Sequence, residues 1–148
     1  MSYVAKTTNE LEEINDLLHD NFLNADSIKF DDKKRIFSAK LDYVDRKNMK
    51  FKTKNIFTKK YSADVYEWEL YIQNVISHSV KDDAKIGGAE VNTIKYNDQD
   101  GVLVIRGTVP FAIQLKISDL NVEVNTSNKK VGSKSVKKVF SAVIEKNN

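Results

Sequence analysis

The spacing of hydrophobic positions changes several times along this chain. Leu11, Ile14, Leu17, Leu18 and Phe22 recur at helical spacing, with Glu12, Glu13, Asn15, Asp16 and Asp20 between them, which predicts an amphipathic helix with one apolar stripe. Thr7 and Glu10 stand three residues apart just ahead of that stripe. At this spacing a hydroxyl and a carboxylate can satisfy free amides at a helix start. The run from Asn21 to Ser27, with Asn24 and Asp26, reads as the exit loop, because such side chains compete for backbone hydrogen bonds.

Beyond residue 27 the dominant period is two. Ile28 and Phe30, then Phe37, Ala39, Leu41 and Tyr43, flank a polar turn at 31–34 and predict a β-hairpin. Tyr66, Trp68, Leu70 and Ile72 alternate with Glu67, Glu69, Tyr71 and Gln73, the clearest strand pattern in the chain. Residues 81–88 read as a loop. Val91, Ile94 and Tyr96 lead into the turn Asn97-Asp98-Gln99-Asp100-Gly101, and Val102 to Ile105 leave it as an apolar strand. Alternation over Phe111, Ile113, Leu115 and Ile117 changes phase before Leu120, Val122 and Val124, so a bulge or a tight corner is expected between them.

Residues 125–135 are polar and basic and read as a mobile loop. Val136, Val139, Phe140, Val143 and Ile144 then fall at i, i+3, i+4, i+7 and i+8, predicting a C-terminal helix over 136–145, while their β-branched side chains keep a terminal strand as the alternative. The expected fold is therefore α+β. An N-terminal amphipathic helix and a C-terminal helix accompany an antiparallel sheet or partly closed barrel of about six to eight strands, in one domain over 1–148. This order of elements is similar to that of pleckstrin-homology-type barrels, a likeness that transfers no function.

Composition narrows the chemistry. The 148 residues include no cysteine, which removes thiolate nucleophiles, disulfides and cysteine-ligated metals and fits a reducing compartment. A cytoplasmic location is expected. The segment Met1 to Lys6 lacks the apolar stretch of a signal peptide, and the longest aliphatic run, Val102 to Ile105, is far below the roughly 20 apolar residues of a spanning helix.

No reactive constellation emerges from the motifs. His19-Asp20 lacks the further ligands of a metal site, since His78 is the only other histidine. Asp98-x-Asp100-Gly101 would need carboxylates where Tyr96 and Gly107 stand to be a calcium loop. Glu67 and Glu69 share one strand face, a spacing common on solvated strands, whereas paired acid and base carboxylates normally come from different elements. Gly87-Gly88 and Gly132-Ser133-Lys134 lack the remainder of a phosphate-cradling loop. No catalytic, metal or cofactor residue is assigned.

Charge is the one feature left over. The net charge is +3, but residues 46–60 hold seven basic side chains and no acidic one, and residues 125–148 hold six against one. In the first block Arg46, Lys47, Lys50, Lys52, Lys54, Lys59 and Lys60 interleave with Phe51 and Phe57, with Tyr61 just beyond; the second holds Lys129, Lys130, Lys134, Lys137 and Lys138. Lysines mixed with stackable aromatics suit a single-strand binder or anionic lipid headgroups, and alternating lysines also protect an edge strand. The expected function is a non-catalytic interaction domain, for a protein partner or for self-association. The second reading is an anion-binding module, for nucleic acid or acidic lipid, using 46–60 and 129–138.

Overall fold

The computed structural model describes residues 1–54, 58–83, 85–139 and 143–147, without the side chains of 54, 138, 139 and 143–147. Among these residues there are twelve strands and one α-helix. The strands are β1 (Ser2–Ala5), β2 (Phe22–Asp31), β3 (Ile36–Val44), β4 (Lys50–Lys54), β5 (Thr58–Ile72), β6 (Val75–Asp82), β7 (Gly88–Asn97), β8 (Val102–Gly107), β9 (Phe111–Ile117), β10 (Val122–Asn125), β11 (Lys130–Val139) and β12 (Val143–Asn147). The helix, α1, covers Thr8–Leu18.

The capping pair acts as its spacing predicts. Thr7 Oγ1 accepts from the Glu10 amide, and Glu10 Oε1 accepts from the Lys6 amide. Leu11, Ile14 and Leu18 form the buried stripe. Phe22 lies beyond the helix in β2, so the exit is shorter than expected: Asp20, at φ 65°, reverses the chain. The buried Asn21 side chain donates to the Leu17 and His19 carbonyls at the helix end, groups that a helix terminus leaves unpaired.

The expected C-terminal helix is not formed, and the α+β class with about six to eight strands falls with it. Residues 130–139 and 143–147 are β11 and β12, which pair antiparallel from Lys134↔Asn147 to Lys138↔Val143; residues 140–142 lie outside the described residues. The resemblance to pleckstrin-homology-type barrels, which depended on that helix, falls too. The spacing of five apolar residues fits a helix, yet four of them are β-branched and lose rotamer freedom there. Pairing of β11 with β5 from Lys130↔Tyr66 to Val139↔Thr58 gives the backbone a full set of partners instead. The same pairing turns most of the expected loop at 125–135 into strand.

Two compact units divide the chain: residues 1–41 with 68–126, and residues 42–67 with 127–148. Strand order along the main path is β1-β10-β5-β3-β2-β7-β8-β9-β6, with β4 and β11 on β5 and β12 on β11. The path runs from one edge, β1, to another, β6, and is an open sheet, not a closed barrel. In the first unit the phase change after Ile117 is a corner at 118–121 that leads from β9 into β10, with Leu120 buried within it. The interior is filled by alternating residues such as Phe37, Leu70, Ile72, Leu103, Ile113 and Leu115, each at 0 % exposure. Among the described residues the second unit has a buried cluster of Val44, Ala63 and Val136, with Met49, Tyr61 and Val65 packed against it.

No helix among the described residues is long and apolar enough to cross a membrane.

Candidate functional site

Register in the second unit decides which lysines can act together. Strand β5 receives β4 and β11 in antiparallel pairing. Residues directly opposite one another share a sheet face. One face carries Tyr61 and Ala63 of β5 opposite Val136 and Lys134 of β11, and Ala63, Val136 and Lys134 are all buried. The other face carries Lys60 opposite Lys137, Ser62 opposite Ser135, and Asp64 opposite Ser133. From β4, Lys50 lies opposite Ser62 and Thr53 opposite Lys60.

Both basic blocks therefore contribute to one polar sheet face, through Lys50, Lys60 and Lys137. The next row, Lys54, Lys59 and Lys138, mutually opposite across β4, β5 and β11, belongs to the other face, that of Tyr61 and Val136. Three lysine positions, 50, 60 and 137, therefore share the polar face. Like charges directly opposite each other destabilise a strand pair.

The other sequence candidates are placed differently. Arg46 and Lys47 sit in a single 3-10 turn at Arg46–Asn48. Lys52 occupies the irregularity between Phe51 and Thr53 and is exposed. Lys129 Nζ lies 3.0 Å from Glu67 Oε2, and Lys130 Nζ lies 3.0 Å from Asp64 Oδ1, so both cations have partners. Lys134 stands 7 % exposed opposite Ala63 on the core-facing side, away from Lys50. The phase of alternation carries this distinction: Lys134 and Val136 are two apart and share a face, whereas Lys137 takes the other. Phe57 lies outside the described residues.

Of the aromatics beside these lysines, Phe51 is 56 % exposed at the edge strand β4, and it meets Tyr61 edge-on at 5.7 Å between ring centres. It shares the face of Tyr61, opposite to that of Lys50, Lys60 and Lys137.

The carboxylates of this unit respond in opposite directions. Hydrogen bonding to Lys130, with the positive charge of Lys130 and Lys50, holds Asp64 below the usual carboxylate range, against a smaller effect of burial. Burial first, and then the charge of Glu67, pushes Asp42 up. With a lowered native pKa the unfolded chain binds more protons, so the Asp64 contribution is present above the ordinary value and is lost as pH falls through the depressed one. With a raised native pKa the native state binds more protons, so stability from Asp42 declines as pH rises through that window. At pH 7, Asp64→Asn is expected to lower the denaturation midpoint and Asp42→Asn to raise it. Urea titrations at pH 7 and at a pH below about 4 check this, since both differences should shrink in acid.

Elsewhere the sequence motifs resolve into structural roles. His19 closes α1, with its amide donating to the Asn15 carbonyl and Nδ1 lying 3.0 Å from the Asn92 carbonyl. The Asn97–Gly101 segment is a turn held by the Gly101 amide on the Asn97 carbonyl and the Val102 amide on Asp100 Oδ1. Glu69 accepts from the Tyr71 hydroxyl, which pushes that phenol up in pKa, with smaller contributions from burial and from the charges of Glu69 and Glu123. A groove of about 630 Å³ beside the β2–β3 turn is lined by Phe30, Ile36 and Tyr71 with Lys29, Lys33 and Lys34. Its Asp31 carboxylate already accepts from the Lys33 and Lys34 amides. No cluster of three or more metal-ligating side chains occurs among the described residues.

Comparisons with protein-family models, with curated proteins and with solved structures find no significant match.

Proposed function

We propose that this chain is a non-catalytic binding module whose lysine-rich sheet end holds the backbone of a single-stranded nucleic acid. One observation carries the reading: the β5–β11 register sets Lys60 opposite Lys137, on the face that Lys50 joins from β4. Such an arrangement costs folding energy and is relieved when phosphates come between the cations. The cysteine-free composition fits a cytoplasmic setting.

Binding of a labelled oligothymidylate, measured by fluorescence polarisation over a series of salt concentrations, tests the proposal. The affinity should fall steeply with salt, and the Lys60→Ala, Lys137→Ala double variant should lose about tenfold in affinity. Its slope of log K against log salt should be shallower by about 1.4, at about 0.7 per phosphate contact on single strands. Undetectable binding at low salt, or a double variant that binds like the parent, overturns the reading. Binding to acidic vesicles without binding to the oligonucleotide would overturn it in favour of a lipid surface.

Lys137→Glu separates function from folding. It replaces a repulsive pair with an attractive one, so it is expected to raise stability by a few tenths of a kcal/mol while weakening binding. Denaturant titration and polarisation on the same preparation report the two effects.

A further inference from the structure

Three kinds of strand edge can be compared among the described residues. β4 carries lysines at 50, 52 and 54, and β1 is only four residues long. Charge and shortness are the usual means by which an edge avoids pairing with another chain. β6 has neither over most of its length. It pairs on one side with β9 and ends the strand order on the other, and from Val75 to Val80 it contains no charged lysine, acid or proline. Ile76 and Val80 are 50 % and 40 % exposed. Arg35 covers the start of this edge: its carbonyl accepts from the Val75 amide and its Nη1 reaches the Ile76 carbonyl. From Ser77 to Lys81 no further backbone partner on this side occurs among the described residues, while the Phe30 ring packs against His78 at 4.5 Å between ring centres.

The sequence of that edge is self-complementary. Reading outward from His78 in both directions gives Ser77 and Ser79, then Ile76 and Val80. An antiparallel pair related by a two-fold axis through His78 sets Ser77 opposite Ser79 of the second copy and Ile76 opposite Val80, with each apolar pair formed twice. Such matching of a patch with itself is what a two-fold interface requires.

We infer that β6 is a homodimerisation edge, pairing antiparallel with β6 of a second copy about an axis at His78. The occupant is a second copy because the pattern matches itself, not a general peptide. A single strand pair with its flanking side chains is a small interface of the weak, reversible class, so the dimer forms in a concentration-dependent way. This inference stands independently of nucleic-acid binding.

Sedimentation velocity over a wide concentration range, on the full chain, should show a monomer–dimer equilibrium that Val80→Lys shifts to monomer by at least tenfold in dissociation constant. The absence of native cysteine permits a register test. Directly opposite strand residues stand about 4.5–5.5 Å apart at Cα, within disulfide reach, whereas residues offset by two stand about 7–8 Å apart. His78→Cys should therefore give a disulfide-linked dimer on mild oxidation, and Ser79→Cys should not. A chain that stays monomeric throughout with no His78→Cys disulfide, a dimer unaffected by Val80→Lys, or equal cross-linking at 78 and 79 each overturns the inference. Circular dichroism melts of the variants verify that they are folded, and the disulfide test holds even if Val80→Lys is not.

Discussion

Gly88→Ala is expected to destabilise the protein by about 3 kcal/mol or more. Gly88 opens β7 at φ +140°, and a Cβ there would collide with the Leu23 carbonyl oxygen, with the Phe22 ring and the Ala25 amide also in close contact. The obstruction is backbone, which cannot swing aside as a side chain would. Gly88 pairs with Asn24 where β2 meets β7, so relief requires separating these strands. The contrasting substitution is Gly132→Ala, where an added Cβ meets nothing within 4 Å. It should change stability by no more than about 0.5 kcal/mol. Guanidinium titrations of both variants measure the difference, with an unchanged slope showing that the native state alone is affected.

The second large effect is expected from Val136→Asn. Val136 is 1 % exposed and, among the described residues, is buried with Val44 and Ala63 and packed by Met49, Tyr61 and Val65. Losing its burial costs about 1.5 kcal/mol or more, and an amide placed among apolar side chains adds about 1–3 kcal/mol. The total is about 3 kcal/mol. Hydrogen exchange should accordingly show amides of β11 and of the N-terminal half of β5 losing protection, while those of β8 and β9 keep it. Equal loss in all four strands would show that the small core is not a separate locus of stability.

How far the sequence specifies this structure depends on whether an element's cause is local. The helix α1 is legible because both its cap and its stripe are local: Thr7 and Glu10 bond as their spacing implies. The β7–β8 hairpin is legible for the same reason, since its turn is built from its own Asn97 and Asp100 side chains. β11 is not. Val136 and Val139 fit a helix as well as a strand, and what decides between them is β5, whose partner residues Tyr61 and Thr58 stand far earlier in the chain. β1 is missed because its partner, β10, is still more remote. The basic blocks are visible in composition alone. That Lys60 faces Lys137, and that Lys134 is turned inward, depends on a register set by distant pairing.

The pairing of β1 with β10, from Ser2↔Asn125 to Ala5↔Val122, also bears on how the chain reaches its native state. Contacts of such long sequence separation slow folding, because loop closure must precede any gain from pairing. On a ribosome adding about 5–20 residues per second, β1 waits on the order of 6–24 s for β10 to be made. The capped helix beside it can form in the interval, but the strand edge it will occupy does not yet exist. β1 is therefore made long before its partner and is among the last strands to be fixed in place.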